Sequence, residues 1–246
     1  MKILIASPSY DGSVRHEYMR SIMVLTDYFK QAGIEWDMML EPATLLHVMR
    51  SVMASRALNE PDITHLLFID TDMAFAVTAV QRLIDARKDI IGCAYPYRTI
   101  PLHENIAKAG MPFRKAISEV LPYAVQFAPG QTEMKIVNGV CEVQSIGTGL
   151  LLIDKRVLAT MVKKGCVGSF SAGFPYTQWY KYAEYFGFFD YIVENRQYLG
   201  EDYSFCKRWT EQCRGKIHAV VNEEIGHVGN ITVLGRYEDK LRSGRK

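Results

Sequence analysis

The hydrophobic pattern along the chain switches between two periods. Lys2 to Ala6 is a short apolar, β-rich run stopped by Ser7-Pro8-Ser9-Tyr10-Asp11-Gly12, and it reads as a first strand ending in a turn-rich loop. Past Ser13, a candidate helix cap, Met19, Ile22, Met23, Thr26 and Phe29 recur at helical spacing until Gly33 stops them. Ile34 to Leu40 reads as a second strand and Pro42 to about Leu58 as a second helix. The run from His65 to Asp70 is continuously apolar up to its terminal acid, which suits a strand buried on both faces of a parallel sheet. Ala76 to Arg87 then reads as helix and Asp89 to Ala94 as strand. This alternation predicts an α/β sheet with right-handed crossovers.

After Tyr95-Pro96-Tyr97-Arg98 the rhythm breaks. Residues 99–120 read as a loop with a little helix. Tyr123 to Ala128 and Met134 to Ser145 read as strands, with Asn138-Gly139 supplying the dipeptide of a two-residue hairpin turn. Ile146-Gly147-Thr148-Gly149 leads into a strand over Leu150–Ile153 and a helix from about Lys155 to Lys163. Residues 170–198 hold twelve of the chain's 28 aromatic side chains, a concentration that marks either core or a binding platform. Tyr203 to Gln212 reads as helix, Lys216 to Val221 as a last strand, and the charged segment from Arg236 onward as a flexible tail.

Composition narrows the class. At 246 residues and 48% hydrophobic the chain can bury a substantial core, which excludes disorder. With 29 Lys+Arg against 27 Asp+Glu, the formal charge of +2 is no signature for nucleic acid or an anionic membrane. No apolar run approaches the roughly 18–20 residues of a membrane span. The first residues are too short for a secretory core and run straight into a turn. Five scattered cysteines without a C-x-x-C pair read as free thiols in a reducing cytoplasm, a host's cytoplasm if the chain is viral.

The most informative segment is Phe68-Ile69-Asp70-Thr71-Asp72-Met73, where two carboxylates one residue apart end a buried strand. Ligands of an open parallel sheet bind beyond the carboxyl ends of its strands. Strand alternation sends both acids to one side, and close carboxylates repel unless a cation lies between them. A hard divalent ion with oxygen ligands meets that demand. A solvated turn with an Asp helix cap is the competing reading. Three further features point toward chemistry: the acid pair of Gly200-Glu201-Asp202 at a helix start, a histidine between glycines in Ile225-Gly226-His227-Val228-Gly229, and Ser55-Arg56-Ala57-Leu58-Asn59 just ahead of the Asp-x-Asp strand.

With these residues in order from about Lys2 to Gly229, joined by the Tyr-Pro-x-Arg stretch and the Gly-Thr-Gly segment, the chain resembles the small GT-A glycosyltransferases. The resemblance implies an α/β, Rossmann-like, mostly parallel central sheet flanked by helices, with a small antiparallel hairpin and an acceptor-side extension. Residues 1–235 would form one domain, with 1–98 binding a nucleotide sugar, 99–235 facing the acceptor, and 236–246 as the charged tail. It implies a divalent metal, Mn²⁺ or Mg²⁺, and a nucleoside-diphosphate sugar, UDP by mild preference. Asp72 would ligate the metal, Asp70 would face the ribose or support the metal, and His227 would complete the metal site or touch the diphosphate. Pro8, Ser9 and Tyr10 would hold base and ribose, joined on the donor side by Arg56, Asn59, Thr71, Gly147 and Gly149, the two glycines permitting close backbone approach. Asp202, or else Glu201, would be the general base if the reaction inverts, its ionised form favoured by the helix dipole, whereas in a retaining reaction both would bind sugar hydroxyls. Tyr95, Tyr97 and Arg98, with Tyr176, Trp179 and Tyr180 from the aromatic segment, would meet an acceptor that could be a protein, small molecule, oligosaccharide or modified nucleic acid.

Three other functional readings compete. A nucleotidyltransferase on a related sheet would carry a Gly-rich, Lys- or Arg-bearing loop after the first strand, and Pro8-Ser9-Tyr10-Asp11-Gly12 has one glycine and no lysine. A haloacid-dehalogenase-type phosphohydrolase would place Asp-x-Asp on the first strand, not the third. A binding module that keeps the fold without turnover is also compatible.

Overall fold

A computed structural model of the chain describes residues 1–101, 111–128, 130, 134–173, 178, 180–230 and 232–244. In chain order the main sheet comprises β1 (Lys2–Ser9), β2 (Glu35–Pro42), β3 (His65–Ile69), β4 (Ile90–Cys93), β5 (Val140–Val143), β6 (Leu150–Asp154) and β7 (Ile217–Val220). The helices are α1 (His16–Ala32), α2 (Leu46–Asn59), α3 (Val77–Asp85), α4 (Phe113–Val120), α5 (Lys155–Lys163), α6 (Glu201–Lys207) and α7 (Tyr237–Ser243). Strand order is β2-β1-β3-β6-β4-β7-β5. β1 pairs parallel with β2 and β3, and β4 pairs parallel with β7. β6 runs antiparallel to both β3 and β4, and β5 antiparallel to β7. The sheet is mostly parallel, as the sequence pattern predicts.

The continuous apolar runs have a direct cause, because the sheet is covered on both faces. Successive side chains of a strand point to opposite sides. Ile3 and Ile5 of β1, with Leu67 and Ile69 of β3, pack under Tyr18, Ile22, Leu25 and Phe29 of α1. Leu4, Ala6, Leu66 and Phe68 pack on the other side, against Met49, Val52, Met53 and Ala57 of α2. α1 ends where its periodicity ends, at Gly33 with φ 66°, a left-handed conformation that glycine adopts without strain.

Several expectations need correction. Ser13 does not cap α1, whose cap position is Arg15. Instead its backbone N–H and its hydroxyl both donate to Asp11 Oδ1, closing a side-chain turn in the loop after β1. Asn138 and Gly139 do form a two-residue turn, with φ 52° and 77°, but Val137 and Val140 make an isolated bridge across it. The following strand then crosses to β7, so no extended hairpin forms. The helix read over Tyr203–Gln212 begins at Glu201 and loosens into a π-helical turn over Arg208–Gln212. No helix of the described residues is long and apolar enough to cross a membrane.

The charged tail is also ordered through Ser243, while residues 245 and 246 lie outside the described residues. Its charge pattern conceals one anchor. Tyr237, 7% exposed, packs with its ring centroid 4.6 Å from Tyr123 and 6.2 Å from Phe127, and Glu238 N–H donates to the Val221 carbonyl. Replacing Tyr237 with Ala is expected to cost about 3 kcal/mol of stability, the scale of removing a buried aromatic. Urea unfolding checks this; a loose tail would give no change.

Candidate active site

The loops beyond the carboxyl ends of β1, β3 and β4 enclose a cavity of about 500 Å³. Its floor is the end of β3, where Asp70, Thr71 and Asp72 all line it. Two backbone bonds hold this loop, from Arg15 N–H to the Thr71 carbonyl and from Val228 N–H to the Asp72 carbonyl. The short strand Met73–Ala74 pairs antiparallel with Ile225–Val228, setting His227 directly opposite Met73. That pairing carries a distant histidine to the Asp-x-Asp segment.

His227 Nε2 lies 3.4 Å from Asp72 Oδ2, and Nδ1 lies 2.9 Å from the Pro96 carbonyl oxygen. A carbonyl can only accept, so Nδ1 carries the proton and Nε2 is the atom turned to Asp72. The ring stands edge-on to Tyr95, centroids 5.4 Å apart. Arg98 Nη1 lies 3.1 Å from the same Asp72 oxygen. Burial pushes the Asp72 carboxyl up, but the hydrogen bond and charge that His227 brings when its ring carries both protons, with the charge of Arg98, outweigh it and hold the group below its ordinary value.

Asp70 faces elsewhere. Both its oxygens accept from Arg50 Nη2, at 2.8 and 3.0 Å. Burial raises the Asp70 carboxyl above its usual range against the pull of Arg50. The Arg50 side chain is 2% exposed, lies over the Phe68 ring, and turns Nε toward Glu201 Oε1 at 3.7 Å. One guanidinium therefore spans the Asp-x-Asp strand and the start of α6. Beside it Asp202 is pushed up to about 6, first by burial and then by the charge of Glu201. The helix dipole expected to favour the ionised form does not offset burial, which holds the Asp202 carboxyl above its ordinary value.

The residues present fit a divalent cation in a limited way. Asp72 Oδ2 and His227 Nε2 face one another as an oxygen and a nitrogen donor with the histidine's far nitrogen fixed on a backbone carbonyl, the support a ligating imidazole has. Asp70 turns both oxygens to Arg50, as Asp72 turns Oδ2 to Arg98. Among the described residues no group of three or more His, Cys, Asp or Glu converges. Two protein ligands suffice only where phosphates and waters complete the shell.

Other expected donor residues divide. Pro8 and Tyr10 line the cavity, but Ser9 is buried and donates to the Ser13 carbonyl. Arg56 points away, paired with Asp37, because six residues carry it about 240° around α2 from Arg50. Asn59 donates to the Tyr180 hydroxyl. Gly147 and Gly149 make room for a side chain of the protein itself: a Cβ at Gly147 would sit 2.2 Å from Tyr95 Oη and one at Gly149 2.7 Å from Tyr95 Cζ. The Gly149 N–H donates to that same hydroxyl, and Thr148 between them lines the cavity.

Among the expected acceptor residues, Tyr95 and Arg98 line the cavity. Tyr97 instead hydrogen-bonds Tyr203, hydroxyl to hydroxyl at 2.8 Å. Tyr180 is 2% exposed and donates to the Glu184 carbonyl, so it belongs to the core. Tyr176 and Trp179 lie outside the described residues. Sequence reasoning missed Arg50, Arg15, Leu46 and Thr148, all of which line the cavity. For Arg50 the signal was faint but present: a cation between Met49 and the Val52-Met53 pair, in a helix with no polar face to receive it.

No known family model matches the chain, and no curated protein matches its sequence. Among solved structures the chain is similar to A197 from STIV, with a TM-score of 0.50 and 18% identity over 93% of this chain and 86% of that one. At that identity the likeness is one of fold, and it accords with the α/β, mostly parallel architecture described above. A second similarity, TM-score 0.33 and 13% identity over 67% of this chain and 65% of the other, is to a glycosyltransferase involved in the glycosylation of the major capsid of PBCV-1.

Arg50→Met is expected to destabilise the fold by about 3 kcal/mol, the cost of stripping a buried ion pair of one partner, as read by urea unfolding. Asp202 adds a pH dependence. Its folded pKa of about 6 lies above the ordinary aspartate value of 3.8, so the folded state binds the proton more tightly. The stabilisation this brings is present at low pH and is lost as pH rises from near 4 through 6. Asp202→Asn is expected to remove that decline and to be more stable than the parent at pH 7, checked by urea midpoints across pH 4–7.

Proposed function

We propose that the chain is a metal-dependent glycosyltransferase that moves a sugar from a nucleoside-diphosphate sugar, UDP by mild preference, to an acceptor hydroxyl with inversion. The observation that carries this reading is one cavity with Asp72 and His227 meeting on one wall and the acid pair Glu201–Asp202 on another. The preference for UDP comes from the sequence resemblance alone.

Each residue has a task in this reading. Pro8, near the end of β1, and Tyr10, in the loop after it, line the cavity where base and ribose would lie. Asp72 and His227 would hold the cation together with the donor's diphosphate. Bound there, the cation would supply neutralisation of the charge that grows on the leaving diphosphate. Arg15 and Arg98 line the same cavity and add positive charge toward that group. In the transfer, a bond forms between the acceptor oxygen and the anomeric carbon. The bond from that carbon to the diphosphate oxygen breaks, and its electron pair leaves with the diphosphate. Asp202 takes the acceptor's proton. A pKa of about 6 keeps most of Asp202 ionised at neutral pH while leaving it a useful base. Glu201 is the weaker candidate, because Arg50 Nε lies 3.7 Å from it and competes for its lone pairs.

The test pairs binding with turnover. In a thermal-shift panel, UDP and UDP-sugars are expected to stabilise the protein in the presence of Mn²⁺ or Mg²⁺, as a ligand specific to the folded state must. Asp72→Ala should abolish that metal-dependent shift while remaining folded. Asp202→Asn should keep the shift and lose at least about 10²-fold in turnover. An unchanged shift in the first variant refutes the metal assignment, and parental turnover in the second removes Asp202 as the base. Binding that never leads to hydrolysis or transfer would identify a binding module instead.

A further inference from the structure

Just ahead of the acid pair the chain forms a small hairpin, Ile192–Glu194 against Gln197–Leu199. It turns through Asn195 and Arg196, both left-handed at φ 51° and 63°, the geometry of a tight two-residue turn. Register pairs Val193 with Tyr198 and Ile192 with Leu199, so the two sides of the hairpin carry different residues. The inner side is anchored to α6. Ile192 N–H donates to Ser204 Oγ, which donates in turn to the Leu199 carbonyl, and Lys207 Nζ lies 2.9 Å from Glu194 Oε2. The outer side is open: Tyr198 is 79%, Val193 59% and Tyr191 44% exposed.

Three exposed apolar side chains on one rigid face need an explanation, since contiguous apolar patches mark binding surfaces. The face lies beside the cavity without lining it. The Tyr198 ring meets the Tyr191 ring edge-on at 6.3 Å, and Tyr191 packs 4.6 Å from the His47 ring. His47 follows Leu46, which lines the cavity, while Leu199 and Gly200 lead straight into Glu201. A partner here must offer a flat apolar face with a polar rim, to match tyrosine rings and their hydroxyls. A pyranose ring has that shape, with C–H bonds on its faces and hydroxyls around its edge.

We propose that the outer face of this hairpin, centred on Tyr191 and Tyr198, is an acceptor platform that stacks a pyranose ring of an oligosaccharide. This rests on the glycosyltransferase reading and names its acceptor class. The platform is built in advance, since the hairpin is already fixed to α6, so stacking costs little ordering. The stacked sugar's neighbour in the oligosaccharide then extends along Tyr191 toward Asp202.

The test is saturation-transfer NMR on the intact chain with methyl pyranosides, maltose, cellobiose and chitobiose as probes, and with UDP plus Mn²⁺ on the same samples. At least one pyranoside probe is expected to bind. The Tyr191→Ala and Tyr198→Ala variants should weaken that probe by up to about tenfold each, the scale of a lost aromatic contact. Tyr198→Trp should retain it, and UDP binding should not move. If UDP binds but no pyranoside does, or if the alanine variants leave pyranoside binding intact, the platform is wrong and the donor reading survives. A dimer seen by light scattering that Tyr198→Ala dissociates would assign the face to a second copy and overturn the proposal. Pyranoside binding without UDP binding would sustain the platform and sink the transferase.

Discussion

One buried cation organises the cleft. Arg50 is the largest side chain that the fold shields from water, and it reaches Asp70 at the end of β3 and Glu201 at the start of α6. These segments lie 131 residues apart in sequence, and neither acid has another cation as close among the described residues. A guanidinium suits the task because its planar fork can meet two carboxylates while staying charged in a dry setting. Without it the cleft would gather Asp70, Asp72, Glu201 and Asp202 with too little compensation, and burial would drive protons onto them. The three polar contacts of α2 with the aromatic segment extend the same logic. Ser51 and Ser55 accept from Phe189 and Phe186 N–H, and Asn59 donates to Tyr180, so one helix bolts the extension to the sheet.

Much of this was legible from residue order, and the failures share a cause. The two-sided sheet followed from apolar runs, because a strand covered on both faces has no polar alternation to preserve. Asp72, His227 and Asp202 were legible because their types are expensive to place and stood beside strand ends or glycines. Arg50 was not, and Arg56 was chosen in its stead. In an amphipathic helix a cation marks the wet face, but α2 is buried nearly all round, so position along it says nothing about exposure. The glycines at 147 and 149 misled in another way. They do mark a close approach, but the approaching group is Tyr95 rather than a ligand.

The aromatic segment divides along the same line between inside and outside. Phe188 and Phe189 are fully buried, and Phe189 stacks on Phe205 at 4.6 Å while standing edge-on to Phe68. Composition could not separate these rings from Tyr191 and Tyr198, since core and platform draw on the same residue types. Only the pairing register of the hairpin, with Val193 opposite Tyr198, sorts the inner side from the outer.

The position of β6 reaches beyond the cleft. Residues 150–154 are inserted between β3 and β4, strands that the chain completes some sixty residues earlier. A ribosome that has released only the first hundred residues has therefore made two strands whose neighbouring edges are bare. Their backbone donors and acceptors must wait for a partner still in the exit tunnel or unmade. Contacts of such long sequence separation close slowly. The two halves of the chain are thus joined in assembly, and severing the gene between them would leave the first fragment with an open seam down its middle.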